Sequence, residues 1–135
     1  MIFIDTTIWV SAIDSSDELH EDGKAVLIKM VEGNLPLAVT TDFVLDETLT
    51  MLKKRGAKPD KVAEDVQNII SSMRVNVVYV DEMLFKASLS NYSKYATLSF
   101  TDAVSLTVMA RLKIREVYSH DTDFDLEGII RKESP

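Results

Sequence analysis

Four acidic residues are placed where they could act together: Asp5, Glu47, Asp102 and Asp121. Each falls at the end of a short β-branched run or within the first two turns of a helical stretch. Carboxylates gathered at one place repel. Two charges ~6 Å apart at an effective dielectric of ~20 oppose each other by roughly 3 kcal/mol. A divalent cation reverses the sign of that sum. The chain has no cysteine and only two histidines, so an all-oxygen donor set selects a hard ion, Mg²⁺ or Mn²⁺, over zinc. Such a site suits hydrolysis of a phosphodiester by an activated water.

Each acid also has a plainer use. Asp5 closes an apolar run and precedes Thr6-Thr7-Ile8-Trp9, where an N-cap fits as well as a metal ligand. Glu47 shares its segment with Asp42 and Asp46. At 100° per residue, Leu45, Leu49 and Leu52 form the expected core stripe, widened by Val44 and Met51. Glu47 borders that stripe, where it is expected either as a surface acid at the margin or as a partly desolvated one that needs a partner such as a cation. Asp46 falls on the solvated flank. Asp102 completes Ser99-Phe100-Thr101-Asp102, a capping-box pattern ahead of a helix apolar nearly all round. Asp121 and Asp123 lie in Ser119-His120-Asp121-Thr122-Asp123-Phe124-Asp125, which also reads as a polar turn. Asp121 is nearer the strand end, and Asp123 is a second candidate. His120 is expected to pack or hydrogen-bond rather than act as a base. His20 is expected in solvent, Asp81 as a cap, and Trp9 in the core or an interface.

Short runs rich in β-branched residues recur at residues 1–5, 37–40, 75–80, 116–119 and, more weakly, 129–131. Little polar alternation predicts parallel strands covered on both faces. Helical spacing appears at 21–33, with Ala25, Ile28 and Val31 or Leu27 inward. It appears again at 42–54, at 60–73 (Val62, Val66, Ile69, Ile70, Met73), at 82–95 (Leu84, Ala87, Ser88, Tyr92, Tyr95) and at 100–112, expected to be the most buried. Strands alternating with helices predict an α/β sandwich with a mostly parallel sheet. Ligands of such sheets sit at the carboxyl ends of the strands, where the four acids lie.

With 46% apolar and 27% charged residues, the chain reads as folded rather than disordered. Residues 1–135 are expected to form a single domain. No apolar run is long enough to span a bilayer. Met-Ile-Phe-Ile-Asp has neither a basic n-region nor a cleavage site, so a cytoplasmic location is expected. The formal charge of −7 runs against nucleic-acid binding. Asp14, Asp17, Glu18, Glu21 and Asp22 account for part of it, as an expected solvated loop and helix face. Lys53-Lys54-Arg55 remains as a local basic group, expected at a helix end or on an RNA backbone.

Phe3-Ile4-Asp5-Thr6-Thr7, Val44-Leu45-Asp46-Glu47, Phe100-Thr101-Asp102-Ala103 and Ser119-His120-Asp121-Thr122-Asp123-Phe124 resemble the four acidic motifs of the PIN domain. Their order, with the acids 42, 55 and 19 residues apart, resembles the VapC-type toxin ribonucleases. The resemblance covers nearly the whole chain, to about residue 130. It implies a three-layer α/β/α sandwich whose five-stranded sheet has the order 3-2-1-4-5. It implies that Asp5, Glu47, Asp102 and Asp121 are catalytic and metal-binding, with Asp123 as an addition and Thr6 and Thr101 in support. It further implies an Mg²⁺- or Mn²⁺-dependent endoribonuclease leaving a 5′-phosphate and a 3′-hydroxyl, a homodimer, and a small antitoxin partner that blocks the acids. A stand-alone PIN nuclease in RNA processing and a non-catalytic PIN-like binding module are the alternatives. A haloacid-dehalogenase-like phosphatase would carry D-x-D, but Thr7 stands two after Asp5. A receiver domain needs a lysine after its last strand, and Lys132 lies too near the end of the chain.

Overall fold

Three buried residues, Ile2–Ile4, form β1 at the centre of the sheet. A computed structural model describes residues 1–135 and shows five parallel strands in the order β3-β2-β1-β4-β5. The others are β2 (Ala38–Thr41), β3 (Val75–Val78), β4 (Glu116–Tyr118) and β5 (Ile130–Lys132). Phe3 pairs with Val39 on one side and Val117 on the other. The inner strands β1 and β2 are wholly buried, whereas the edge strands β3 and β5 are only partly so. Strands covered on both faces have no polar side, which is why they read as apolar runs.

Six helices flank the sheet: α1 (Thr6–Ile13), α2 (His20–Val31), α3 (Asp42–Lys54), α4 (Pro59–Ser71), α5 (Glu82–Lys94) and α6 (Phe100–Arg111). The parallel sheet between helices is therefore the expected three-layer sandwich, with the strand order that the family resemblance implied. The chain leaves β1 toward β2 through α1 and α2, and returns to the other flank of β1 as β4. That reversal opens a crevice beyond the carboxyl ends of β1 and β4. Asp5 follows the first of these strands and Ser119-His120-Asp121 the second.

Several expectations need correction. Residues 6–13 form a helix that the cap reading of Asp5 allowed but that helical spacing did not mark. In α2 the inward residues are Gly23, Val26 and Met30, while Ile28 and Val31 are 44% and 61% exposed. In α3, Val44, Leu45, Thr48 and Leu52 are buried and Leu49 is exposed. Ile70, Met73 and Tyr92 are exposed as well. The strand expected over 75–80 stops at Val78, and the Val80 amide donates to Asp42 instead (2.9 Å). The remaining strand and helix bounds shift by a residue or two. As expected, α6 is the most enclosed helix, buried from Asp102 through Met109, and Trp9 lies in the core.

Gly23 explains the rotation of α2. A Cβ there would overlap Ser11 Oγ and stand 2.7 Å from the Ala12 amide nitrogen. The two helices approach across a missing side chain, and that approach selects which face of α2 turns inward. Gly23→Ala should therefore lower stability by about 2 kcal/mol through overpacking, even though alanine is the better helix former. Urea unfolding measures it, and an alanine variant as stable as wild type would contradict this packing.

Candidate active site

Three of the acids sit at their places because they cap helices. Asp5 precedes α1, and its Oδ2 accepts from the Thr7 amide (3.4 Å) and the Thr7 hydroxyl (2.9 Å). The Ser119 hydroxyl donates to the same oxygen at 2.8 Å. Asp102 and Ser99 form the expected capping box on α6. The Asp102 amide donates to Ser99 Oγ (3.1 Å), and the Ser99 amide donates back to Asp102 Oδ2 (3.3 Å). Asp121 caps a 3₁₀ turn, Thr122–Phe124, with Oδ1 accepting from the Asp123 amide (2.9 Å). In each case one carboxylate oxygen serves the cap and the other has no protein partner. Cap and site role are therefore compatible at all three positions.

These acids border one cleft of about 360 Å³, whose walls carry Asp5, Glu47, Asp102, Asp121 and Asp123. Thr7, Met51, Thr97 and Ser99 complete it. Asp46 is exposed and lies outside this lining, as helix geometry predicted. Of the two threonines named from the sequence, Thr6 is buried with its hydroxyl unpartnered. Thr101 does not line the cleft, and its carbonyl accepts from Ser105 Oγ (3.0 Å).

Burial raises three of the carboxyl groups above their usual range. Asp5 is raised by burial against the pull of Ser119 and Thr7. Glu47 is raised by burial and by the charges of Asp5 and Asp121, offset in part by the nearby Thr6 hydroxyl. Asp102, only 7% exposed, is pushed up to about 7 by burial first and then by Asp5. Glu47 and Asp102 thus feel other acids across the cleft.

The donor set suits a hydrated divalent cation rather than one enclosed by protein oxygens alone. No three of the acids stand close enough to enclose an ion by themselves. Mg²⁺ does not ask for that, because it keeps several waters and takes one or two carboxylates. Asp5 Oδ1 is buried and has no hydrogen-bond partner, although a buried charged oxygen needs one. It shares the cleft with a desolvated Asp102. An oxygen-only cleft with an orphaned carboxylate oxygen fits a hard, hydrated ion.

The sequence reading missed Ser119 and Thr7. Thr7 Oγ1 also accepts from the His120 amide (2.9 Å), and Ser119 Oγ accepts from the Asp121 amide (3.0 Å). These two hydroxyls tie Asp5 to the β4 end. The signal available was a hydroxyl two residues after Asp5 and another two before Asp121. His120 hydrogen-bonds, as expected: its Nε2 lies 3.1 Å from Ser11 Oγ. His20 is half-buried rather than solvated, with Nδ1 2.7 Å from the Ser11 carbonyl oxygen. The loop acids are not all free either, since Asp14 and Asp17 both bind Arg55.

A PIN domain model matches residues 2–126. A VapC ribonuclease of Archaeoglobus fulgidus is 32% identical over 131 residues, covering 95% of this chain and 81% of that protein. The 23S rRNA-specific endonuclease VapC20 of Mycobacterium tuberculosis is 29% identical over 136 residues, covering 96% of each. The crystal structure of VapC20, described as a Sarcin-Ricin loop cleaving toxin, superposes with a TM-score of 0.78 at 28% identity. It covers 96% of this chain and 97% of that one. A toxin–antitoxin complex from Klebsiella pneumoniae shares the fold, with a TM-score of 0.67 at 17% identity over 96% of both chains. The acid-lined crevice stands on a sheet of the same kind as these relatives', and the chain belongs to the PIN domain family.

Proposed function

We propose that this chain is an Mg²⁺- or Mn²⁺-dependent endoribonuclease and the toxin of a toxin–antitoxin pair. The observation that carries the reading is Asp5. Its Oδ2 is saturated by Thr7 and Ser119, while its Oδ1 is buried and unpartnered in a cleft lined by four further acids. A divalent cation, when bound, supplies charge neutralisation and water activation for phosphodiester hydrolysis. Asp5 and Asp102 are its principal ligands. Glu47 and Asp121 flank them and act directly or through water, with Asp123 in support. Thr7 and Ser119 hold the Asp5 carboxylate plane through Oδ2 and leave Oδ1 for the cation. The proposed product is a 5′-phosphate and a 3′-hydroxyl.

The relatives named as VapC ribonucleases support RNA as substrate. A small antitoxin that covers the acids is the proposed partner. A second copy of the chain is proposed against α5, where Phe85 (44% exposed), Leu89 and Tyr92 (51% exposed) line one exposed face. Phe43 and Phe100 pack beside Phe85, with ring centroids 6.4 and 4.7 Å away. No helix is long and apolar enough to cross a membrane. A cytoplasmic location stays part of the proposal.

Asp5→Asn and Asp102→Asn should each reduce Mn²⁺-dependent RNA cleavage at least a hundredfold. Ser119→Ala should reduce it about tenfold by loosening Asp5, in line with typical losses at outer-shell partners. A gel assay on single-stranded RNA decides, and three variants as active as wild type would refute the assignment. Light scattering should give twice the chain mass for wild type and a monomer for Phe85→Glu. A wild-type monomer would remove the dimer.

The raised carboxyl of Asp102 also sets a pH dependence. Its folded-state value of about 7 exceeds the ordinary 3.8, so between these limits the fold holds a proton that the unfolded chain has released. Stability contributed by that proton is present at low pH and lost as pH rises through 7, at most about 4 kcal/mol. Without divalent ions, Asp102→Asn should therefore melt above wild type at pH 8, with the advantage gone at pH 4. Mn²⁺ should raise the wild-type melting temperature at pH 8 and leave the variant unchanged. An identical pH profile for the two proteins would show that Asp102 is not strained in this way.

A further inference from the structure

A second hollow opens off the acid cleft. It measures about 170 Å³ and shares Thr7 and Met51 with the cleft. Val10, Leu19 and Met51 give it an apolar wall, and Asp17, Arg55 and His120 give it a polar edge. Arg55 is the only lysine or arginine lining either hollow. It follows the end of α3, and its Nη1 donates to Asp14 Oδ2 (3.0 Å) and Asp17 Oδ2 (2.7 Å). Those two bonds fix the guanidinium plane, and both use the same nitrogen, so the Nε and Nη2 hydrogens stay available as donors. The His120 wall is fixed as well. Its amide donates to Thr7 Oγ1 (2.9 Å), and its Nε2 meets Ser11 Oγ (3.1 Å), a hydroxyl already donating to the Ile8 carbonyl (3.0 Å).

The charge of this clamp selects its occupant. One guanidinium between two carboxylates is net negative, which opposes a phosphate. An uncharged heterocycle meets no such opposition, and the apolar wall favours its faces. RNA is read where unstacked bases are splayed out and hydrogen-bonded on their edges. A guanidinium fork matches the O6 and N7 acceptors of guanine, and a carboxylate matches a base's ring or exocyclic N–H donors. Guanine alone among the four bases offers an acceptor pair for the fork on one edge and two donors beside it for Asp17. Asp17 Oδ1 already accepts from the Leu19 amide (2.8 Å) and Oδ2 from Arg55, which leaves one further lone pair on each oxygen. We infer that this hollow is a guanine-reading subsite for a nucleotide next to the scissile phosphate. Arg55 and Asp17 are its specificity-determining residues. The inference rests on the ribonuclease reading and names the base that the same site prefers.

The test uses the intact protein and short single-stranded RNAs that differ at one nucleotide beside the cleavable bond. Two readouts are taken: Mn²⁺-dependent cleavage, and equilibrium binding by fluorescence anisotropy in EDTA. Guanosine should be preferred over adenosine, cytidine or uridine about tenfold or more in both, the discrimination of one bidentate contact. Replacing it with 7-deazaguanosine, which lacks the N7 acceptor, should remove the preference in the wild-type protein. Arg55→Lys keeps the charge and loses the fork, and Leu19→Trp fills the hollow while keeping the backbone amide that donates to Asp17 Oδ1 (2.8 Å). In both variants the guanosine-to-adenosine ratio should fall toward one, with thermal melting as the check on folding. Cleavage without a guanosine preference, a preference for another base, or 7-deazaguanosine acting as guanosine would overturn the subsite and leave the ribonuclease reading standing. Guanosine-selective binding without cleavage would do the reverse. Neither binding nor cleavage would overturn both.

Discussion

Mutual repulsion among desolvated carboxylates at one rim of the sheet is the constraint around which the rest of this structure is arranged. Asp5, Glu47 and Asp102 are all raised by burial, and each of the last two is raised further by neighbouring acids. Left free, such side chains would swing apart into water. Three of the rim acids are prevented from doing so by serving as caps. Asp5, Asp102 and Asp121 each hold the start of a helix or turn with one oxygen. The N-terminal end of a helix also carries partial positive charge, which favours an anion there by a few tenths to about 1 kcal/mol. That offsets part of the repulsion without neutralising it. What remains is an unmet demand for positive charge at the cleft.

The topology delivers these caps to one place. Reversal of strand order at β1 sets β4 beside it, so the segments leaving both strands meet across the crevice. Ser119 and Thr7 then bridge residues more than a hundred positions apart in the chain. The Asp102 helix is buried on nearly every side, which fixes its first turn against the same crevice. Packing farther away feeds into the rim as well. Gly23 lets α2 close on α1, and the Ser11 it touches is the residue that meets His120 and, through its carbonyl, His20. A wall of the side hollow is thus set by a helix contact that carries no charge at all.

How much of this was legible from sequence follows from which interactions are local. Strands covered on both faces read as apolar runs, and a capping box is four consecutive residues, so the sheet elements and the start of α6 could be read directly. Glu47 could be told from Asp46 because helix geometry is regular. Strand order was not readable from periodicity and came only with the family resemblance. The first helix was legible only through the cap reading of Asp5, because Thr6-Thr7-Ile8-Trp9-Val10 is β-branched and aromatic, a composition that favours strands. Tertiary packing and the Asp5 cap outweigh that preference. The inward face of α2 was misjudged because apolar side chains were counted, whereas contact there is made by the absence of one. Ser119 and the Arg55 clamp stayed hidden because their partners lie far away in sequence.

The acidic net charge, which ran against a nucleic-acid ligand, looks different once the acids are located. Five of them line the cleft, where a bound cation would turn their charge from repulsive to attractive for a phosphate. Asp14 and Asp17 are held by Arg55 and do not act as free surface charge. Asp125 and Glu133 are likewise paired with Arg131. The remaining excess is not matched by basic residues at the cleft itself: no lysine or arginine lines it, and Arg55 alone lines the adjoining hollow. A cleft lined this way cannot hold RNA mainly by counterion release, which needs many lysine and arginine contacts to phosphates. On the proposed reading, affinity has to come from the cation at the rim and from contacts to bases. Base contacts carry sequence information that phosphate contacts do not. The same charge balance that weakens general nucleic-acid binding therefore favours a nuclease that is selective about which RNA it cuts.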